Sequence, residues 1–370
     1  MAHITAPDWS VILEPHLRDF YRGRSCFVTG AGGFVGSHLV EALLHCGCEV
    51  IAFVRATSTG GGADRLPAPG TPGLTVVYGD LRDAVSVRKA LEHLRGRKGS
   101  LVFHLGAQAH VGESWLRPYE TLDVNVNGTF HLLQACVDLQ LDLHAFDTAG
   151  TSEEYGNVQR DRTEHYDFVA GGRLLLHERS PINPKSIYAT AKLAADFLTM
   201  NFYDAYRLPC VTTRMFNNYG PRQSPRYFTG TVIAQALKRG FVQVGRIDTR
   251  RDMCYVTDGV RGHMHVAAWG NAGEVYVYGY GENISMRAWA DKILEIGREE
   301  GIWDASVQLR EDASRFRPGN SDVEELLVGY DKLQQKTGWR PQVDWQSGIR
   351  QTLRWYRDNE PRWIGQVDWR

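Results

Sequence analysis

The segment Thr29-Gly-Ala-Gly-Gly-Phe-Val-Gly36 constrains this chain more than any other. It follows a short apolar run, Ser25-Cys-Phe-Val-Thr29. It precedes Phe34 to Cys46, where apolar residues at 35, 39, 40, 43 and 44 repeat with helical spacing. Gly30, Gly33 and Gly36 are therefore placed between a strand and a helix. Three glycines there allow a tight turn, close backbone approach to a pyrophosphate, and a helix N-terminus whose N–H groups face an anion. The spacing is GxxGxxG, not the broader GxGxxG, so its weight comes from its place in the first strand–turn–helix unit.

The pattern then repeats. Strands are expected at Glu49–Arg55, Leu74–Tyr78, Leu101–His104, His144–Asp147 and Cys210–Phe216, and helices at Val85–Leu94, Tyr119–Leu139 and Ser186–Ala205. Residues 56 to 73, with Gly60 to Gly62 and three prolines, are expected to form a loop. Alternating strands and helices predict an α/β fold: a Rossmann-type, doubly wound parallel sheet. Residues 156 to 184 are polar and irregular, and beyond Gly220 short strands, helices and aromatic turns mix. The expected division is an N-terminal extension (1–23), a dinucleotide-type domain (24–218, joined by 250–268) and a smaller, partly interleaved C-terminal substrate lobe (219–370). A ligand then belongs between them, at the carboxyl ends of the strands.

Composition excludes other classes. Lys and Arg number 42 against 43 Asp and Glu, a net charge of −1, which gives no polyanion-binding surface and argues against nucleic acid as a partner. No run of about 18 apolar residues is present, so no membrane span is expected. Met1 to Asp19 lacks the basic head and apolar run of a signal peptide. The six cysteines are scattered, mostly within apolar runs, and point to buried thiols in a reducing cytoplasm. Cys46-Gly-Cys48 has no partner pair at metal spacing, and no metal site is expected. His263 and His265 stand i, i+2 and do not face one ligand on a helix. Trp339, Trp345, Trp355, Trp363 and Trp369 are expected to be packing anchors.

Three further groups carry chemistry. At the end of the second strand the acid expected to hold a ribose 2′-hydroxyl is replaced by Arg55, with Thr57 and Ser58 behind it. A guanidinium there suits a 2′-phosphate and favours NADP, with NAD as the alternative. Asp80, after the third strand, is suited to the adenine amino group or to a turn. Tyr188-Ala-Thr-Ala-Lys192 places a phenol and an ammonium on one helix face. A nearby ammonium stabilises a phenolate, so Tyr188 can take a proton from a sugar hydroxyl as a hydride leaves for a nicotinamide. Thr151-Ser152-Glu153, just after the fifth strand, adds a hydroxyl beside Tyr188 and a carboxylate at the same sheet edge.

Taken with Gly79-Asp80, His104-Leu-Gly-Ala-Gln108, Thr151-Ser-Glu-Glu-Tyr-Gly156 and Arg214-Met-Phe-Asn-Asn-Tyr-Gly-Pro221, these motifs resemble the extended short-chain dehydrogenase/reductases. That group holds nucleotide-sugar dehydratases, epimerases and decarboxylases, and the resemblance runs from about residue 24 to 357. It implies that Tyr188 and Lys192 are the redox pair and that Thr151 holds the sugar O4. Glu153 would remove the C5 proton of a 4,6-dehydratase, and Ser152 would stand where many such enzymes carry the acid that helps water leave. Thr-Ser-Glu is similar to GDP-mannose 4,6-dehydratases and UDP-glucuronate decarboxylases, while Arg251-Asp252 favours dehydration over decarboxylation. The cofactor residues implied are Gly30, Gly33, Phe34, Val35, Gly36, Arg55, Asp80, Leu81, Leu105 and Gln108, together with Tyr188 and Lys192. Asn217, Arg251 and Arg317 match positions that touch the diphosphate, and Gln223, Ser224 and Arg226 follow nearby.

The expected activity is thus an NDP-hexose 4,6-dehydratase acting through transient C4 oxidation. The nearest rival is an NDP-sugar epimerase or NDP-uronate decarboxylase, and a rival of another class is a catalytically silent NADP-sensing protein. The resemblance further implies a homodimer joined by a four-helix bundle built from helices 119–139 and 186–205.

Overall fold

The computed structural model describes residues 7–55, 62–159, 161–169, 172–319 and 321–367. The first elements follow the alternation. Short helices α1 (Trp9–Ile12) and α2 (Pro15–Tyr21) lead into β1 (Ser25–Thr29), α3 (Phe34–His45), β2 (Glu49–Arg55) and β3 (Leu74–Gly79). Then come α4 (Ala84–Leu91), β4 (Ser100–His104), α5 (Val111–Leu116), α6 (Pro118–Leu122), α7 (Gly128–Asp138) and β5 (Leu143–Thr151). A small hairpin, β6 (Asp167–Val169) and β7 (Arg173–Leu175), precedes α8 (Ile187–Tyr206) and β8 (Cys210–Met215). The second half supplies β9 (Asn217–Tyr219), α9 (Phe228–Arg239), β10 (Phe241–Val244), β11 (Arg250–Tyr255), α10 (Val256–Trp269) and β12 (Val275–Tyr278).

Seven strands form one parallel sheet in the order β12-β8-β5-β4-β1-β2-β3. The order reverses between β1 and β4, which opens a crevice at their carboxyl ends. Apolar residues fill both faces, as a parallel sheet requires. On one face Cys26, Val28, Val50 and Ala52 pack with α3, α10 and the N-terminal helices. On the other, Phe27, Phe53 and Phe146 pack with α4 and α7. A separate core of Tyr219, Tyr255, Trp289, Trp355 and Trp363 holds the lobe together.

Several expectations change. Tyr119–Leu139 is not one α-helix: α6 and α7 are joined by a π-helical stretch, Asp123–Asn127. β5 is longer than read, and Thr148 to Thr151 continue the strand instead of leaving it. Their polar side chains are buried because partners exist; Thr148 Oγ1, for example, lies 2.9 Å from Thr199 Oγ1 of α8. The parallel sheet takes its last strand, β12, from residues 275–278.

The extension packs on the body: Trp9, Leu13, Leu17 and Tyr21 enter the core, and Glu14 holds Arg261 and His265 of α10. Trp339, Trp355 and Trp363 are buried and Trp345 partly so; Trp369 lies outside the described residues. All six cysteines are buried and free.

Candidate active site

The crevice begins at the glycine-rich turn. Gly30 has φ +65°, and a Cβ on it would lie 2.8 Å from the Gly106 nitrogen. A Cβ on Gly36 would lie 2.2 Å from the Gly30 carbonyl oxygen, so α3 can approach the turn only with glycine there. Gly33 is the N-cap of α3 and makes no side-chain cap. Phe34 and Val35 follow in the first turn, whose N–H groups are left for an anion. These features fit a dinucleotide pyrophosphate.

A buried chain of hydrogen bonds sets the next wall. The Thr29 hydroxyl accepts from the Gly106 N–H at 2.9 Å and lies 2.8 Å from His104 Nδ1, while His104 Nε2 lies 2.9 Å from Thr129 Oγ1. Burial, with Lys192 nearby, depresses the His104 pKa to about 3, so the ring is neutral. Thr129 donates to the Asn125 carbonyl at 2.6 Å. Asn125 clamps the Gln108 backbone from both sides, accepting its N–H at 2.8 Å and donating to its carbonyl at 3.1 Å. The π-helical stretch carries Asn125, and such stretches recur at functional sites. Gln108 Oε1 is buried without a partner among the described residues, which suits an oxygen kept for a ligand. Leu81 is buried and Leu105 partly buried beside this wall.

At the far end of β2, Arg55 is half exposed and lies 3.4 Å from Glu120. Asp80 is held by Arg82, accepting from its backbone N–H at 2.9 Å and from its guanidinium at 3.0 and 2.7 Å. Hydrogen bonds from the Arg82 side chain lower the Asp80 pKa despite partial burial. Asp80 is thus a turn residue in this structure, with part of its acceptor capacity used by Arg82. Thr57 and Ser58 lie outside the described residues.

The chemistry-bearing group lies where β5 meets α8. Ser186 caps α8, accepting from the Ala189 N–H at 3.1 Å, and this places Tyr188 in the first turn. The positive end of the helix dipole there favours a developing phenolate. Burial raises the Tyr188 pKa, Tyr227, Glu153 and Glu154 add to the rise, and a hydrogen bond with Thr151 opposes it. Lys192, one turn along, is buried. Burial lowers its pKa against the pull of Glu154, Asp196 and Asp147. Thr151 ends β5, and Ser152 and Glu153 begin a 3-10 turn (Ser152–Glu154); all three are buried. The structure therefore brings Thr151, Glu153, Tyr188 and Lys192 into one region.

Arg317 Nη1 lies 3.5 Å from Glu153 Oε2, and Arg317 Nε lies 3.1 Å from Asp322. Arg251 is buried; burial lowers its pKa, Glu153 supports its charge and Arg317 opposes it. Asn217 Oδ1 is buried without a partner among the described residues. Two guanidiniums, Arg251 and Arg317, thus stand near Glu153. Arg226 is farther out, paired with Glu113 of α5. His110, missed in the sequence, links the two regions: it feels both Arg226 and Arg317, and burial lowers its pKa. Gln223 is buried and donates to the Asn218 carbonyl at 2.8 Å.

Glu154, Asp196 and Asn125 were also missed. Asp196 stands at i+4 from Lys192, and that spacing could have marked it. Among the described residues no metal-binding cluster of His, Cys, Asp and Glu occurs, and no helix is long and apolar enough to cross a membrane.

A family profile described as GDP-mannose 4,6 dehydratase matches residues 27–352. A probable dTDP-glucose 4,6-dehydratase of Sinorhizobium fredii is 30% identical over 353 residues, covering 91% of this chain and 93% of that protein. The dTDP-D-glucose 4,6-dehydratase of Homo sapiens is 27% identical, covering 91% of each. Among solved structures, the dTDP-glucose 4,6-dehydratase of Streptomyces venezuelae with NAD bound superposes with a TM-score of 0.79 at 30% identity, covering 93% of this chain and 100% of that one. A UDP-glucose 4-epimerase of Thermus thermophilus, also with NAD, has a TM-score of 0.74 at 30% identity, covering 90% and 99%.

Proposed function

The chain belongs to the GDP-mannose 4,6-dehydratase family, and we propose that it converts a nucleotide-diphosphate hexose to its 4-keto-6-deoxy form by transient oxidation at C4. It is an enzyme of the nucleotide-sugar 4,6-dehydratase type. The observation that carries the reading is the meeting of Thr151, Glu153 and Tyr188 at the carboxyl end of β5, with Lys192 one turn behind.

Tyr188 takes the proton of the sugar O4, Thr151 orients that oxygen, and Lys192 stabilises the phenolate. Reversible storage of the C4 hydride, later returned to C6, is the chemistry a bound nicotinamide dinucleotide supplies. The resulting 4-keto group acidifies C5–H. Glu153 takes that proton and returns it to the C6 hydroxyl, which leaves as water; Ser152 is the neighbouring hydroxyl on the same turn. Arg251, Arg317 and Asn217 hold the diphosphate, and Arg226 borders the sugar nucleotide. Because Arg317 is shared with Glu153, a diphosphate that draws Arg317 away leaves Glu153 free to act as base.

The dinucleotide would lie along Gly30, Gly33, Phe34, Val35 and Gly36, with Asp80, Leu81, Leu105 and Gln108 along its length. NAD in the solved relatives supports a nicotinamide dinucleotide in this site. The finer assignment is NADP, through Arg55. The sheet half of the chain (24–218 with 250–268) would hold this cofactor, and 219–370 mainly the sugar nucleotide. Buried free thiols fit a reducing cytoplasm.

A homodimer is the proposed assembly. Tyr119 and Leu122 of α6, Phe130 of α7, and Phe197 and Tyr206 of α8 are exposed large apolar side chains, Tyr119 at 87%. Packing these helices against a second copy covers them and makes a four-helix bundle.

Mass spectrometry of the purified protein with GDP-, UDP-, dTDP- and CDP-hexoses and the matching uronates tests the reading. Loss of one water from a hexose donor is expected. Loss of carbon dioxide, or an isomer of unchanged mass, would instead establish decarboxylation or epimerisation.

A further inference from the structure

We propose that Glu154 is a positioning residue for the Tyr188–Lys192 pair: it fixes Thr151 through its backbone and keeps Lys192 protonated. This rests on the roles just given to Tyr188 and Lys192, which do not involve Glu154.

Glu154 is fully buried at the end of the 3-10 turn. Its Oε1 accepts the Thr151 N–H at 2.8 Å, closing a reciprocal capping box with the Thr151 hydroxyl. Its Oε2 lies 2.8 Å from Arg214 Nε of β8. Arg214 also donates to Asp196 Oδ2 at 2.9 and 2.6 Å and to the Tyr155 hydroxyl at 3.2 Å. A Cβ on Gly150 would lie 2.9 Å from Arg214 Cγ and 3.0 Å from Glu154 Oε1. Glycine in β5 therefore lets the carboxylate and guanidinium close against the strand that carries Thr151.

The charges facing Lys192 come from every element around it. Asp196 lies on its own helix, Glu154 on the turn and Asp147 on β5. Asp147 is matched within the core, accepting from Thr213 at 2.6 Å and lying 2.6 Å from His263 of α10. His104 on β4 faces Lys192 as a neutral ring. That leaves two cations, Lys192 and Arg214, against two carboxylates, Glu154 and Asp196. Without Glu154, two buried cations share one carboxylate. Arginine cannot lose its proton, so Lys192 would. Burial lifts the Glu154 pKa to about 8, against Arg214, the Thr151 N–H and Lys192.

The test compares kcat and KM across pH for the wild type, Glu154→Gln, Glu154→Leu and Tyr188→Phe holoenzymes. The substrate is the nucleotide-hexose dehydrated in the mass screen. Glutamine keeps the shape and an oxygen for the Thr151 N–H but not the charge. Its alkaline limb of kcat is expected about one pH unit lower, with the acid limb and KM unchanged. Glu154→Leu, which also loses the acceptor, is expected to fall in kcat at every pH. An unmoved alkaline limb in Glu154→Gln, with Tyr188→Phe inactive, overturns this inference alone. Full activity in Tyr188→Phe overturns the site reading and this inference with it.

Discussion

Replacing Glu153 by Gln separates chemistry from folding, because the two costs have different sizes. Gln matches Glu in shape, and the side chain is only 9% exposed, so packing is preserved. The lost ion pair is long, 3.5 Å, and its Arg317 partner is 27% exposed and keeps Asp322 at 3.1 Å. A pair of that kind contributes at most about 1 kcal/mol. The lost base is another matter. A positioned general base contributes about 10²–10⁴-fold, and a site this enclosed admits little water to replace it. A fall in kcat of about 10³-fold, equivalent to about 4 kcal/mol, is therefore expected, with a thermal midpoint close to that of the wild type. The assay follows loss of water by mass spectrometry in deuterated solvent, where C5 of the product acquires solvent label. Glu153→Gln should lose label incorporation and dehydration together. Dehydration at the wild-type rate would refute the assignment, and a collapse in stability would show that the side chain is mainly structural.

Glu14 should anchor the N-terminal extension. Burial opposes its charge, but hydrogen bonds from His265 and Arg261 outweigh that and hold its pKa well below the usual carboxylate range. A depressed acid stabilises above its unfolded value of about 4.3 and loses that contribution as pH falls toward its folded value. Glu14→Gln should then cost about 1–3 kcal/mol at neutral pH, less than a lone buried ion would because Arg261 keeps Asp258, and the gap should close in acid denaturation series. Arg55→Ala should weaken NADP far more than NAD in binding titrations; equal loss for both would remove the 2′-phosphate role. Phe197→Asp with Tyr119→Asp should convert a dimer to a monomer in sedimentation analysis, and an unchanged mass would place the interface elsewhere.

The alternation of strands and helices was legible because each parallel strand is a short apolar run closed by a turn. The glycine-rich motif was legible because only glycine tolerates those approaches, as Gly36 against the Gly30 carbonyl shows. What was misread is non-local. Thr148 to Thr151 looked like a turn since two threonines there flank a small residue and a glycine. They are strand because Thr199 on α8 and residues of β8 lie against them. Nothing near 275–278 announces that it pairs with β8, since that register is set across a long stretch of chain. The π-helical stretch around Asn125 was invisible for the same reason: its purpose is to reach Gln108, on a different loop.

The same logic explains why one helix carries so much of the site. α8 presents a different partner on each side of a single rod. Tyr188 and Lys192 reach the end of β5, Asp196 reaches Arg214, Thr199 reaches Thr148, and Phe197 faces outward. Spacings of four along a helix return to one face, so Tyr188, Lys192 and Asp196 form a continuous line from the reacting phenol to the buried guanidinium. A perturbation on the outward face therefore has a short mechanical path to the site. Loosening the helix by removing the proposed dimer partner would be felt first at its capped first turn, where Ser186 fixes Tyr188. A monomeric variant should accordingly lose more in kcat than in cofactor affinity, since the glycine-rich turn leads into α3, across the sheet from α8. Equal losses in both would mean that the dimer face supports the whole fold and not this helix in particular.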